Sequence, residues 1–362
     1  MATAVRTANG TWDDENWTGG SGSGGAPAST DDVDLHGYAV TVDSVAQCAT
    51  LSDNLGGGVL TVTTAGELTC SALIDSVTQS CQLVVTGGTV SIGDVTHASV
   101  VTMISMSGGE VTISGDVTLS DNATVLVEQT GGTLTADVGL AATASGWTVF
   151  QIGGGTADIT IALPLNGVLS GTLATCDSTA QLTLATDTSV LSLASSLSVL
   201  QMYGGSATVR GTITSSMSCF TIGFSSGNLV IDADAETIAG SSYPLIETSG
   251  SGTITLTGNV IANDGLAAGV IAANTTVDII VTGPINIGPV SCLVYNEAGA
   301  TITLASSAIT LSAFGYLVLG NYGNVTLDIP VNATFTLVGD VAGEHKYGGA
   351  RTTMMFAPSG LL

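Results

Sequence analysis

Basic residues are almost missing from this chain: Lys and Arg number 4 among 362 residues, against 29 Asp and Glu. Neutralising a phosphate backbone takes Lys and Arg, so nucleic-acid binding is excluded. Docking on an anionic membrane surface fails for the same reason. The formal net charge is −25, yet charged residues are only 9% of the sequence, far below the roughly 25% of an average globular protein. The acidity therefore comes from missing bases, not from abundant acids. Aromatics are also scarce, at 4%, so a core must be built from small side chains. The 6 cysteines (Cys48, Cys70, Cys81, Cys176, Cys219, Cys292) include no C-x-x-C pair. They make neither a disulfide framework nor a zinc site, and small buried thiols are the expectation.

Long apolar runs are absent as well. The charge-free stretch 298–327 alternates Thr, Ser and Gly with apolar residues, whereas a transmembrane helix needs about 20 predominantly apolar residues. The opening Met1-Ala2-Thr3-Ala4-Val5-Arg6 lacks the apolar stretch of a signal peptide, and aromatic girdles for an outer-membrane barrel are not found. The expectation is a soluble product made in a cytosol, with no membrane insertion.

What is present in quantity is Gly (48 residues) and apolar side chains (44%), a composition that excludes disorder. These residues recur in a pattern. Gly87-Gly88-Thr89-Val90-Ser91-Ile92 is followed by Gly108-Gly109-Glu110-Val111-Thr112-Ile113 and by Gly131-Gly132-Thr133-Leu134-Thr135-Ala136. Gly204-Gly205-Ser206-Ala207-Thr208-Val209, Gly227-Asn228-Leu229-Val230-Ile231, Gly252-Thr253-Ile254-Thr255-Leu256, Thr276-Val277-Asp278-Ile279 and Thr301-Ile302-Thr303-Leu304 continue it, at spacings of about 21 to 25 residues. Within each period, β-branched and polar residues alternate with period 2, the signature of half-buried strands. Such short strands cannot bury an apolar face alone, but stacking one coil on the next does so. The fold expected is therefore all-β: a single-chain parallel β-helix, or β-solenoid, of roughly 13 coils. Val111, Ile113, Ile254, Leu256, Ile302, Leu304, Val325 and Leu327 should face the interior, and Thr112, Thr255 and Thr303 should face out. Cys48 and Cys70 read as one interior slot in neighbouring coils, and Cys219 and Cys292 as one slot three coils apart. Residues 190–202 are ambiguous, because Val190, Leu193, Leu197 and Leu200 fall at helical spacing.

The ends differ from the body, which divides the chain into an N-terminal cap or docking segment (1–32), the solenoid (33–340) and a C-terminal cap or interface segment (341–362). A solenoid exposes open strand edges that must be capped. Trp12 and Trp17 flank Asp13-Asp14-Glu15-Asn16 in the first segment, while Lys346, Tyr347, Arg351, Met354, Met355 and Phe356 concentrate charge and apolar surface in the last. These eight residues are the candidate interface. The order Trp12, Trp17, Gly19-Gly20, Pro27, Asp31-Asp32-Val33, Thr41-Val42 resembles the opening of parallel β-helix proteins of bacteriophage virions and bacterial cell surfaces. The resemblance covers about 40 residues, and it implies a β-helix used as virion or surface hardware. Cell-surface members of this type carry a secretion signal, so its absence favours a virion part assembled in the host cytoplasm.

The acids, histidines and threonines are the residue types that bear on chemistry. Asp232 with Asp234, or Asp116 with Asp94 one coil earlier, are spaced to approach as a glycosidase pair would, but chance pairs are expected among so many acids. A lyase of the pectate type resembles this fold and uses a basic residue, for which Arg210 is the body's single Lys or Arg. His36, His97 and His345 are far apart, and no nucleophile triad, H-E-x-x-H or phosphate loop is found. Thr-x-Thr pairs such as Thr61/Thr63 and Thr133/Thr135 raise ice binding, but Ser91, Glu110, Asp232 and Asp278 break the ladder, and β-propensity explains the threonines. No cofactor or metal is read from the sequence. The function expected is a non-enzymatic structural virion protein, such as a fibre, spike or capsid decoration. Its partners would be further copies of itself, a trimer among the candidate states, and other virion proteins. A glycan-binding or depolymerase tailspike is the alternative, and a bacterial surface adhesin the second.

Overall fold

The computed structural model describes residues 2–338 apart from 76–80, 121–123, 144, 216–218, 220, 238–242, 264–268, 290, 297–299, 306–307, 313–315, 320–324 and 329–333. The described residues form two compact units that divide between Ala185 and Thr186. Each is a stack of parallel β-turns with almost no helix, the two short 3-10 segments being Ser23–Gly25 and Thr188–Val190.

One turn shows how the sequence produces the coil. A short strand, Cys81–Val85, leads through a glycine corner into a longer one, Thr89–His97. In the longer strand Val90 and Ile92 are buried while Thr89 and Ser91 are outside, as period-2 alternation requires. The alternation slips at Gly93-Asp94 and resumes with Val95 and His97 inside. That slip is a bend, and in the next turn it separates two strands, Glu110–Ile113 and Val117–Leu119, which pair with the two halves of Thr89–His97.

The corner explains the Gly-Gly repeat. Gly88, Gly109, Gly132 and Gly155 stand one above another with φ of 68°, 75°, 81° and 79°, the left-handed region that a Cβ disfavours. Space is short too: a Cβ on Gly109 would lie 2.6 Å from the Gly88 carbonyl oxygen.

Turns stack in register through parallel ladders. In the first unit Leu68, Val90, Val111, Leu134 and Ala157 are successive register partners and all are buried. In the second unit Ala207, Leu229, Ile254, Ile279 and Ile302 form the corresponding column. The step between partners runs from 21 residues (Val90 to Val111) to 25 (Leu229 to Ile254). A fully buried Ile or Leu contributes about 1.5–3 kcal/mol relative to exposure, and each column repeats that gain at every turn. Of the expected core residues, Val111, Ile113, Ile254, Leu256 and Ile302 are buried. The side chains of Leu304, Val325 and Leu327 lie outside those described. Thr112 is exposed, and Thr255 and Thr303 are partly so.

Two finer expectations are settled by register. Residues 190–202 are not helical beyond the 3-10 turn: Ser196–Met202 is a strand with Leu197 and Leu200 buried, and Leu193 projects from the loop before it. Cys48 and Cys70 are register partners and both are buried. Cys219 and Cys292 do not share a slot. The column Ile222, Ile246, Ile271, Val294 places Cys292 two residues before its member and Cys219 three before. Ile222 precedes Leu229 by seven residues, whereas Val294 precedes Ile302 by eight. One corner is a residue shorter, and counting along the sequence across it loses register.

Candidate functional site

The N-terminal segment closes the first turn. Thr3–Arg6 pairs in parallel with Asp32–Asp34 and antiparallel with Trp17–Thr18, and Gly10–Thr11 pairs with Ala39–Val42. Both open strand edges of the first turn are thereby occupied by the chain itself. The rings of Trp12 and Trp17 are buried at 4% and 2% exposure, edge to face with centroids 5.3 Å apart. The Trp17 indole N–H donates to the Trp12 carbonyl at 2.9 Å. Arg6 is fully buried, its guanidinium carbon 4.8 Å from the Trp17 ring centroid. It donates to both carboxylate oxygens of Asp14 at 2.7 Å, a bidentate geometry. Asp14 also accepts the Thr11 and Asn16 backbone N–H groups. The hydrogen bond from Arg6 lowers the Asp14 pKa to about 2, against the opposing effect of burial. Sequence reasoning passed over Arg6 and Asp14. The available signal was one rare basic residue a few positions before an acidic run between two tryptophans.

The other residues of the opening pattern have local tasks. Gly19 takes φ 83°. Asp31 accepts the Ser21 hydroxyl and N–H and the Ala28 N–H, and Val33 is buried in a column between Ala4 and Leu51. Trp12 and Trp17 thus turn inward, and what this end presents outward is the cap they hold together.

A hollow of about 330 Å³ lies in the second unit. Its wall is the connection between Thr186 and Ser196, which carries the 3-10 turn Thr188–Val190. Its floor is made by Thr214 and Glu236, which end the strands Ser206–Thr214 and Gly227–Glu236, and by Asn263, which follows Val260–Ala262. Thr188 Oγ1 accepts the Thr214 N–H at 2.7 Å and ties the wall to the floor. Asn263 Nδ2 donates to Glu236 Oε1 at 2.7 Å and to the Thr237 carbonyl at 2.8 Å. Hydroxyls dominate the remaining lining, with Leu191, Leu193 and Leu197 as its apolar part. No sequence motif marks this place, because its parts come from loops and strand ends of different turns.

The acids singled out from sequence are held in backbone and surface bonds. Asp94 accepts the Asp116 N–H at 2.9 Å. Asp232 accepts the Thr257 hydroxyl and lies 3.8 Å from Arg210, both being more than half exposed. Asp234 accepts the backbone N–H and the side-chain amide Nδ2 of Asn259. Thr112 and Thr135 are register partners, but Ser91 precedes them and Asp158 follows in the same column. His97 is fully buried with Nδ1 2.9 Å from Asp75 Oδ2, and Asp75 also accepts the Ala98 N–H. His36 stands 3.5 Å from Asp34 in the cap region. Burial pushes the Cys292 thiol up to about 12, which keeps it protonated. Among the described residues no group of three His, Cys, Asp or Glu is placed to hold a metal ion, and no helix is long and apolar enough to cross a membrane.

Lys346, Tyr347, Arg351, Met354, Met355 and Phe356 lie outside the described residues. No family model matches the chain, and no curated protein or solved structure matches it.

Proposed function

We propose that this chain is a non-enzymatic structural protein of a bacteriophage virion, a fibre, spike or capsid decoration, assembled in the host cytoplasm as a homo-oligomer with other virion proteins. The observation that carries the reading is the closed first turn. Residues that resemble the opening of virion β-helix proteins build a cap whose tryptophans, ion pair and strands occupy both sheet edges. A solenoid with that end closed does not propagate from it, so contacts with copies and neighbours fall elsewhere on the chain. The C-terminal segment is the candidate contact, because Lys346 and Arg351 are half of all Lys and Arg residues on a chain of net charge −25. An acidic neighbour meets its least repulsion there.

Mass spectrometry of purified virions tests this reading: the chain should appear as a stoichiometric particle component. Its recovery only from soluble or membrane fractions, never with particles, would refute it. The non-enzymatic part is checked separately with pectin, alginate and capsular polysaccharides. Reducing-end release above blank that disappears in Asp232→Asn or Asp94→Asn would overturn it.

A further inference from the structure

The hollow in the second unit has an electrostatic feature that packing alone does not explain. Glu236 is half-buried, and its carboxylate is fixed by Asn263, a neutral donor, at 2.7 Å. Among the described residues no cation pairs with it: Arg210, the only Lys or Arg between residues 7 and 345, lies instead beside Asp232. A half-buried carboxylate held by a neutral donor has no counter-charge of its own and gains when a cation completes it, and a chain of net charge −25 concentrates cations around itself.

The lining decides which cation fits. A hard metal ion takes six or more oxygen ligands, several of them carboxylates, and among the described lining residues Glu236 is the single acid. A polyanion is repelled. A sugar finds no aromatic platform among the described lining residues, none of which is aromatic. What the hollow offers is one charged acceptor, hydroxyl acceptors such as Thr214, and a strip made by Leu191, Leu193 and Leu197. An ammonium group brings one positive charge and three donors, and an alkyl tail covers the leucines. The volume of about 330 Å³ falls at the lower end of small-ligand sites. We propose that this hollow binds a primary alkylammonium group, with Glu236 as counter-ion and Asn263 as the residue that positions it. The proposal does not depend on the virion reading.

The test uses the full chain and n-butylammonium, followed by saturation-transfer NMR and titration, with 1-butanol as the neutral isostere. Butylammonium should bind and butanol should not. Glu236→Gln keeps the Asn263 bond but removes the charge, and should weaken binding about tenfold, in line with a charge-assisted bond. Asp278→Asn, an exposed acid outside the hollow, should leave it unchanged within twofold. Leu193→Lys, on the exposed loop, should also block binding by placing an ammonium in the hollow, which guards against a folding defect in the first variant. 1,4-Diaminobutane and Nα-acetyl-lysine amide separate a free polyamine from a lysine side chain of a partner, and loss of either in Glu236→Gln supports the site. Equal weakening by Glu236→Gln and Asp278→Asn would show diffuse attraction to the acidic body and overturn the proposal. So would equal binding of butanol, or of glucose, or no binding at all.

Discussion

Gly171→Ala isolates the stacking that holds one turn on the next. Trp147 opens the strand Trp147–Ile152 and is the register partner of Gly171 in the following turn. Its ring is 1% exposed, and it extends over the position where Gly171 has no side chain. A Cβ there would sit 2.5 Å from Trp147 Cδ2 and 2.7 Å from Cε2 and Cε3. Ordinary contact begins near 3.5 Å, so the indole or the strand must shift by about 1 Å. Overpacking of that kind costs about 1–3 kcal/mol. Alanine stiffens the unfolded chain, which returns about 0.4–1 kcal/mol, so the net expectation is a loss of about 1–2 kcal/mol. Guanidinium denaturation followed by far-ultraviolet circular dichroism measures it as a lower midpoint. The companion Trp147→Phe alone should also destabilise, by leaving a cavity. Combined with Gly171→Ala it should do less harm than the sum, with a coupling of about 1 kcal/mol. Strict additivity of the two variants, or a neutral Gly171→Ala with unchanged Trp147 emission, would show that the ring does not depend on this glycine.

Other expectations follow from the same structure. Ile254→Asp puts an unpaired charge in the buried column between Leu229 and Ile279, and should cost several kcal/mol, about 3 or more, read as loss of cooperative unfolding in the second unit. Asp14→Asn removes the counter-charge of fully buried Arg6; because Asp14 itself is 26% exposed, the loss should be roughly 2 kcal/mol rather than the full buried limit, seen as greater exposure of Trp12 and Trp17 to quencher. The Asp14 pKa is lowered from the ordinary 3.8 to about 2. Its contribution is therefore complete above pH 4 and disappears as pH falls through about 2; tryptophan emission from the cap, titrated from pH 6 to 1.5, should show that step, diminished in Asp14→Asn. Deleting residues 343–362 should leave the circular dichroism of the stack intact but abolish oligomerisation or particle incorporation, and normal assembly of the truncated chain would move the contact to the capped end or the sides.

The coil was legible in the sequence because its cause is local. Period-2 alternation in Val90, Ile92, Val111 and Ile113 selects strands, and the recurrent Gly-Gly marks a corner where φ is positive and the chain above approaches too closely for a Cβ. Stacking follows, since one turn cannot bury its own apolar face. Register across corners was not legible. The corner after Ile222 is one residue shorter than its successors, and only the ladder of backbone hydrogen bonds reveals that Cys219 and Cys292 occupy different slots. The tryptophans were visible as an unusual end, but not the direction they face. Their burial was decided by Arg6, which lies over the Trp17 ring and is neutralised by Asp14 eight residues away. The hollow around Glu236 was invisible for a related reason. Glu236 and Asn263 are 27 residues apart, and parallel stacking brings them within hydrogen-bonding reach because one turn of chain separates them. The sequence determined the repeat through local periodicity and steric need; the tertiary stack alone decided which side chains from different turns meet.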